Sequence, residues 1–503
     1  MKATSIVLMI ITVISKIFGL AREKALAYFF GTSSLADVFL IAFQIPMTFS
    51  NVIQGAMVSS FIPIYDEIEH EQGTERANKF TGNLAGAIFL ICLILLVLGL
   101  IFAGQIIGLM APGFEGQVFS DAVFLTRAGL LSIIATGIYS IFKSYLQIKG
   151  HFIVSVSHAI LMNAIIIASM VFAKKFGINS LALGIFVGFS FQYIFFHPYL
   201  KKSGYKSLLG FNFKDKKLVQ CLKSILPIFL ATSVMELNFI ISKSLASEMF
   251  EGAVSTLNFA YKLQSFVTGI VVTSVITAIY PTMSRASSEN DFASLKAKTR
   301  EGLSLMAVFV VPASIVLFFF AEPLVNLLFK GGKFSLEDAR VTGYALSFYA
   351  LGVIAIGLRE TLLRLLYALK DTRTALINSI IVVLVNWIMS IILMKSYGIM
   401  GLAVATSSSF WIGALLLILS IKSRLGWILT KNFFINLLKI LLASSFMIIC
   451  ANFITKSIFT HLGQSLSLLL SLALGGIVYL LLVYIFKINE VDELKKLIKK
   501  LKD

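Results

Sequence analysis

The sequence predicts an all-α integral membrane protein of about fourteen transmembrane helices, arranged as two six-helix lobes plus two C-terminal helices. Three observations carry this. The 503-residue chain is 58% hydrophobic and only 14% charged, with a mean hydropathy of +0.91, a composition that no soluble domain matches. Its apolar runs, such as 84–109 and 463–486, are continuous and of helix length, whereas a β-barrel needs strands of about ten residues that alternate apolar and polar. A repeat then organises the runs: Phe176-Gly177-Ile178-Asn179-Ser180-Leu181-Ala182 matches Tyr397-Gly398-Ile399-Met400-Gly401-Leu402-Ala403 at an offset of 221, and Gln44 and Pro63 match Lys262 and Pro281 at 218. Six helices per unit is an even number, so the two copies share orientation and their axis runs along the membrane normal.

Taken in order, the first span, 4–30, runs into Lys16 and Arg22 without a small-residue cleavage pattern, so it is expected to persist as a helix. The second, 36–62, opens on Asp37, and an acid-rich loop over 66–79 leads to 81–109. Spans 123–148, 152–173 and 179–199 complete a first lobe, 1–200, and a basic cytoplasmic linker, 201–218, follows with Lys201, Lys202, Lys206, Lys214, Lys216 and Lys217. The second lobe, 219–421, holds 219–247 with Glu236, 256–282 with Lys262, 302–329, 338–369, 376–396 and 400–421. Spans 434–456 and 463–486, within 422–486, lie outside the repeat. The longer spans must tilt, bend or project. The tail, 487–503, sets Val491, Leu494, Leu497, Ile498 and Leu501 at helical spacing between lysines and reads as an amphipathic helix on the cytoplasmic leaflet.

A net charge of +18 invites a nucleic-acid reading, but the basic residues gather in loops on one side of the membrane once the spans are drawn. That bias places both termini in the cytoplasm and removes the need for a nucleic-acid partner. Enzymatic chemistry has no support: there is no P-loop, no GxSxG elbow, no Asp-x-Asp pair, and His70-Glu71 continues as Gln72-Gly73-Thr74 rather than as HExxH. No cofactor is expected. Cys92, Cys221 and Cys450 are isolated and read as small buried hydrophobes. His158 lies mid-span and reads as a packed helix residue rather than part of a proton relay.

The sharper signal is charge inside the spans. Lys16, Arg22, Glu23, Lys24 and Asp37 lie in or beside the first two, and a charge near the bilayer centre costs about 2.5–3.5 kcal/mol on insertion scales. They therefore face one another, a wet cavity or a charged ligand. Lys16, Arg22 and Lys262 would point into an inter-lobe cavity suited to an anion, most naturally a phosphate or diphosphate. The competing reading is an ion-pair network in which Glu23 and Asp37 brace the helices around these cations. Glu236 is a partner for a cation, a ligand for a coupling ion, or a protonated acid. Arg359, Glu360 and Arg364 are spaced to pair along one helix, near a cytoplasmic end where long side chains snorkel cheaply.

At these residues the chain resembles the MurJ (MviN) lipid II flippases of the multidrug/oligosaccharidyl-lipid/polysaccharide exporter superfamily. Ser15-Lys16-Ile17-Phe18-Gly19-Leu20-Ala21-Arg22-Glu23 looks like that family's first-helix motif, followed at suitable spacing by Ala36-Asp37-Val38-Phe39 and Gln54-Gly55-Ala56 through Phe61-Ile62-Pro63. Met110-Ala111-Pro112-Gly113-Phe114, Leu328-Phe329-Lys330-Gly331-Gly332-Lys333-Phe334 and Tyr367-Ala368-Leu369-Lys370-Asp371-Thr372-Arg373-Thr374 come later, in order. The resemblance implies two lobes around a cationic cavity, an apolar groove between two C-terminal helices for a polyprenyl tail, and an undecaprenyl-diphosphate-linked substrate carried outward by alternating access. It carries the family's cavity cations onto Lys16, Arg22 and Lys262 and its aspartate onto Asp37. Two of these are lysine where arginine is usual, keeping charge but losing bidentate recognition of phosphate. A family arginine late in the second helix has no counterpart between Pro46 and Gly55, and Ser265 stands three positions after Lys262 where an acid is usual. Further expectations are a bacterial plasma-membrane location, contact with membrane lipids and cell-wall synthases, function as a monomer, and drive from the membrane potential, since moving an anion outward from an inside-negative cell is favoured, or from a sodium or proton gradient. Export of another undecaprenyl-linked glycan, or drug/ion antiport, is the alternative.

Overall fold

The computed structural model describes residues 2–206, 209–457, 463–486 and 488, and all regular structure among them is helical. In chain order the helices are α1 (Lys2–Phe30), α2 (Ser34–Ala56), a π-helical turn at Met57–Phe61, α3 (Ile62–Ile101), α4 (Ala103–Met110), α5 (Gly116–Leu131), α6 (Ile133–Ile148), α7 (Phe152–Phe176) and α8 (Ile178–Lys202). There follow α9 (Lys216–Ser247), α10 (Ala253–Ser288), α11 (Phe292–Phe319), α12 (Ala321–Phe329), α13 (Leu336–Ala368), α14 (Thr372–Leu425), α15 (Lys431–Ser457) and α16 (Gln464–Ile485). Among the described residues nine continuous stretches are long and apolar enough to cross a membrane, and α5–α6, bent by 41° at Ser132, makes a tenth. Two of the nine are divided, by Gly73 in α3 and by Gly398 in α14. With those divisions and with α1 and α9, fourteen segments of spanning length stand where the sequence predicts them.

The repeat is visible in the backbone. Gly177 (φ 59, ψ −147) separates α7 from α8, and Gly398 (φ 56, ψ −137) breaks α14 at the equivalent point 221 residues on. Only glycine takes that conformation without strain. Phe102 and Phe320, 218 apart, interrupt α3–α4 and α11–α12 with nearly the same dihedrals, and positive φ recurs at Gly150 and Lys370, 220 apart.

Some boundaries differ from expectation. The acid-rich 66–79 segment is helical apart from Gly73 (φ 82), so α2, the π turn and the start of α3 run on as one rod to Gln72. Hydropathy ends a span where water begins, but a polar helix carries on beyond it. The spans drawn over 81–109, 123–148 and 302–329 are each interrupted, at Phe102, Ser132 and Phe320. Of the tail 487–503, only Ile488 is among the described residues.

The chain forms two compact units that divide at Asn258 rather than in the basic linker. The first comprises residues 1–258 with Gly331–Ser335; the second comprises Phe259–Lys330 and Leu336 onward. The helix α9, which the repeat assigns to the second lobe, packs in the first unit against α2, the π turn, α3 and α4. In that unit a core of Phe61, Tyr65, Phe80, Tyr139, Tyr145 and Phe196 joins α3, α6 and α8. In the second, α15 and α16 pack on α11 through Val308, Val311, Ile440, Met447 and Tyr479, whose hydroxyl donates to the Val308 carbonyl at 2.5 Å.

Candidate functional site

In the first unit, helix α2 carries a series of polar side chains, among them Asp37, Gln44, Thr48, Ser50, Asn51 and Gln54. Ser33 caps its start by accepting from Ala36 N, which places Asp37 in the first turn. Asp37 is 2% exposed, and its oxygens accept from Gly252 N at 2.9 Å and Ser255 N at 2.7 Å. The first amides of any helix lack intrahelical acceptors and carry the positive end of its dipole. Asp37 is therefore the cap of α10, supplied from elsewhere in the chain. No cation lies within ion-pair distance of it among the described residues, so the pairing of Asp37 with Lys16 or Arg22 is not met.

Arg22 and Glu23 are both buried and pair at 2.5 Å; the guanidinium lies 4.3 Å from the centre of the Phe43 ring, and Glu23 also accepts from Asn258 Nδ2 at 2.9 Å. Their pairing fits the bracing reading, since the arginine charge is already balanced. Lys16 is half-buried on α1. Lys24 is exposed and joins no ion pair among the described residues, so the cluster expected around it is one member smaller. Lys262, half-buried on α10, belongs to the second unit, where its carbonyl accepts from Ser265 Oγ at 3.1 Å.

Glu236 lies on α9 against a stripe of α2. Its oxygens accept from Asn51 Nδ2 at 3.1 Å, Thr48 Oγ1 at 3.1 Å and Gln44 Nε2 at 3.5 Å. Among the described residues no cation sits within ion-pair distance, so the reading of Glu236 as partner of a cation is not met. Two helical turns along α9, Lys243 is 3% exposed; its ammonium donates to Gln44 Oε1 at 3.1 Å and lies 4.6 Å from the Phe239 ring centre. The Gln44 amide thus connects a buried base to an acid. Sequence reading missed Lys243, Gln44, Thr48 and Asn51, although positions 44, 48 and 51 share a helix face and 236 and 243 share another.

A second stripe of α2 faces α6. Gln54 Nε2 donates to Ser50 Oγ at 2.7 Å and to Tyr139 Oη, while Lys143 donates to Gln54 Oε1. Tyr139 Oη lies 3.2 Å from His158 Nε2, which places His158 in a packed hydrogen-bonded setting, as expected.

The second unit contributes different chemistry. An apolar groove is lined by Leu303, Met306, Val310, Leu358, Leu362, Trp411, Leu415, Trp427, Phe433 and Leu437, from α11, α13, α14, the following loop and α15. In the same unit Arg359 is buried, not snorkelling: it donates to Asn378 Oδ1 at 3.0 Å and Ser379 Oγ at 2.9 Å, with Glu360 at 3.8 Å. Gly413 packs beside Arg359: a Cβ there would clash with Val382 Cγ2 and meet the Arg359 side chain at 3.4 Å. Glu360 also pairs with Arg364 at 3.4 Å, as the spacing predicts.

Outside the spans, ion pairs tie the first unit's helix ends together. Arg76 donates to Asp215 at 2.8 Å, Lys217 to Glu67 at 2.5 Å, and Lys149 to Glu69. Burial opposes the charged form of Asp215, but the hydrogen bond and charge of Arg76, with the amide of Lys217, hold its carboxyl below the usual range.

Ionised side chains held inside a chain of fourteen spans, together with an apolar groove, define a polytopic membrane transporter. Among solved structures, an inward-facing multidrug-resistance MATE transporter of the MOP superfamily has this fold, with a TM-score of 0.66 at 15% identity over 84% of this chain and 98% of that one. The family model for lipid II flippase MurJ matches residues 26–474, and the chain belongs to that family. It is 29% identical over 460 residues to the probable lipid II flippase MurJ of Buchnera aphidicola subsp. Baizongia pistaciae, covering 90% of this chain and 89% of the relative. To the lipid II flippase MurJ of Burkholderia cenocepacia it is 29% identical, covering 85% of each. A solved lipid II flippase MurJ in an inward closed conformation superposes with a TM-score of 0.83 at 27% identity, covering 97% of this chain and all of that one.

Proposed function

We propose that this protein translocates lipid II, the undecaprenyl-diphosphate-linked disaccharide-pentapeptide of peptidoglycan, from the cytoplasmic to the outer leaflet of the bacterial plasma membrane. The observation that carries the reading is the full-length likeness to the MurJ family, which extends through both the charged first unit and the grooved second one. The two chemistries suit an amphiphile with an anionic headgroup: the spans hold cations suited to a diphosphate, Lys16 and Lys262 among them, with Arg22 held by Glu23 until a stronger anion competes for it, and the groove of Leu303, Leu362, Leu415 and Trp427 suits an isoprenoid chain.

The protein acts as a transporter, with no bond made or broken, and works by alternating access. Both termini lie in the cytoplasm, in keeping with the basic loops. Outward movement of an anion from an inside-negative cell is favoured by about 2.3 kcal/mol per charge per 100 mV, so the membrane potential supplies drive without a nucleotide. A sodium or proton gradient is the added source if cavity cations move with the substrate. The protein functions as a monomer that hands its product to cell-wall synthases.

Depletion in the native host tests this. Lipid II should accumulate in the inner leaflet, shielded from an external probe, with loss of wall synthesis, and Arg22→Ala or Lys262→Ala should fail to rescue. Normal lipid II exposure with loss of another surface glycan would refute the substrate assignment.

A further inference from the structure

Lys143, like Lys243 on Gln44, meets α2 through a glutamine oxygen, whereas other basic residues of the first unit meet carboxylates. Arg22 has Glu23, Lys149 has Glu69 and Arg76 has Asp215. Lys143 has Gln54 Oε1 as its hydrogen-bond partner and no carboxylate within ion-pair distance among the described residues. A cation inside a span without a counter-charge is costly, and such residues mark ligand pathways.

Snorkelling does not explain its placement. Side chains on a helix lean toward its N-terminus, so Lys143 leans away from the near end of α6 at Ile148 and back toward Tyr139. Its ammonium turns across to α2. The Gln54 amide is oriented by its neighbours: Nε2 is committed to Ser50 and Tyr139, which leaves Oε1 for Lys143. Tyr139 is held in turn by His158 at 3.2 Å. An ammonium has three N–H groups, and Gln54 takes one. Lys143 is half-buried rather than sealed, and Gln54 sits just before the π-helical turn at Met57–Phe61, a kind of irregularity frequent at functional sites.

We propose that Lys143, positioned by Gln54, is an anion-binding residue of the first unit that donates to a phosphate oxygen of the lipid-linked substrate. This rests on the flippase reading for the identity of the lipid, but not for the presence of an anion site. Lys143 supplies charge near the stretch Pro46–Gly55 where the second helix carries no arginine.

Binding of undecaprenyl diphosphate to the purified full-length protein, with inorganic pyrophosphate as competitor, tests it. The variants are Lys143→Gln, Lys143→Arg and Gln54→Glu. The last sets a carboxylate against Lys143, neutralising it while strengthening the contact between α2 and α6. Lys143→Gln and Gln54→Glu should each weaken lipid binding about 10- to 100-fold. Lys143→Arg should stay within about threefold of wild type, and Gln54→Glu should melt at or above the wild-type temperature. Wild-type affinity in Gln54→Glu makes Lys143 a brace and overturns the proposal, even if Lys143→Gln fails to fold. Competition by pyrophosphate as strong as by the lipid assigns the site to free phosphate and overturns the lipid assignment. A lipid II translocation assay on the wild type separates the two readings: weakened diphosphate binding in the variants with no lipid II movement in the wild type keeps Lys143 and removes lipid II. Unchanged binding with normal movement does the reverse.

Discussion

Removing Asp37 should loosen the start of α10 more than an ordinary cap deletion would. One carboxylate there serves two backbone amides, Gly252 N at 2.9 Å and Ser255 N at 2.7 Å, while 2% exposed. Hydrogen bonds to a charged group contribute about 1.5–3 kcal/mol each. Loss of a single helix cap costs about 0.5–2 kcal/mol, because water can reach the first turn. Water has a route here, through a surface depression lined by Ser34, Gly113, Ser247 and Glu251. Asp37→Ala should therefore cost about 2–4 kcal/mol, and Asp37→Asn, whose one carbonyl oxygen can serve one amide well, about half of that. Hydrogen exchange followed by mass spectrometry on peptides spanning 250–258 reads the effect directly, since a 2 kcal/mol loss corresponds to roughly 30-fold faster exchange. Exchange of the Gly252 and Ser255 amides unchanged within about twofold in Asp37→Ala would refute the capping role.

Arg359→Met strands Asn378 Oδ1 and takes a donor from Ser379 Oγ, which keeps its bond to the Ala375 carbonyl, and should lower stability by about 1–3 kcal/mol; a melting temperature equal to wild type in detergent would count against it. Asp215 sits below its unfolded pKa, near 3.9, so its contribution is complete above about pH 4 and is lost as pH falls through the lower folded value. Asp215→Asn should remove that part of the acid limb, and superimposable limbs for the two proteins would contradict this. Leu415→Glu places a carboxylate in the apolar groove and should weaken binding of undecaprenyl diphosphate about tenfold or more. A short-chain geranyl diphosphate should bind unchanged, and equal losses for both would mean the groove does not read the tail.

The spans were legible because an apolar run of bilayer length has few other uses, and the repeat because the positive-φ breaks at Gly177 and Gly398, with ψ −147 and −137, favour glycine. What hydropathy could not supply was the continuation of helix beyond the membrane: residues 66–72 are too polar for a span yet remain helical. Asp37 was legible as a buried charge but not as a cap, because its partners are backbone amides 215 and 218 positions away, and backbone amides carry no side-chain signature. Arg359 looked like a surface pair with Glu360 for a similar reason. Its deciding neighbours, Asn378 and Ser379, lie on a different helix. Lys243 and Glu236 show a seven-residue spacing in the sequence, but the seam they form needs the matching stripe on α2.

The unbroken rod from Ser34 to Gln72 has a mechanical consequence. At 1.5 Å per residue it is roughly 58 Å long, about twice the thickness of the hydrocarbon layer. Its Asp37 end is anchored to two backbone amides, and its far end carries Glu67, Glu69 and Glu71. Pivoted at the anchored end, such a rod converts a tilt of about 10° into a sweep of roughly 10 Å at its tip. Small rearrangements of the Gln44–Asn51 seam would thereby be amplified at the far end, unless the ion pairs of Lys149 with Glu69 and Lys217 with Glu67 hold the tip. A spectroscopic label at Glu71 would act as the pointer of that gauge.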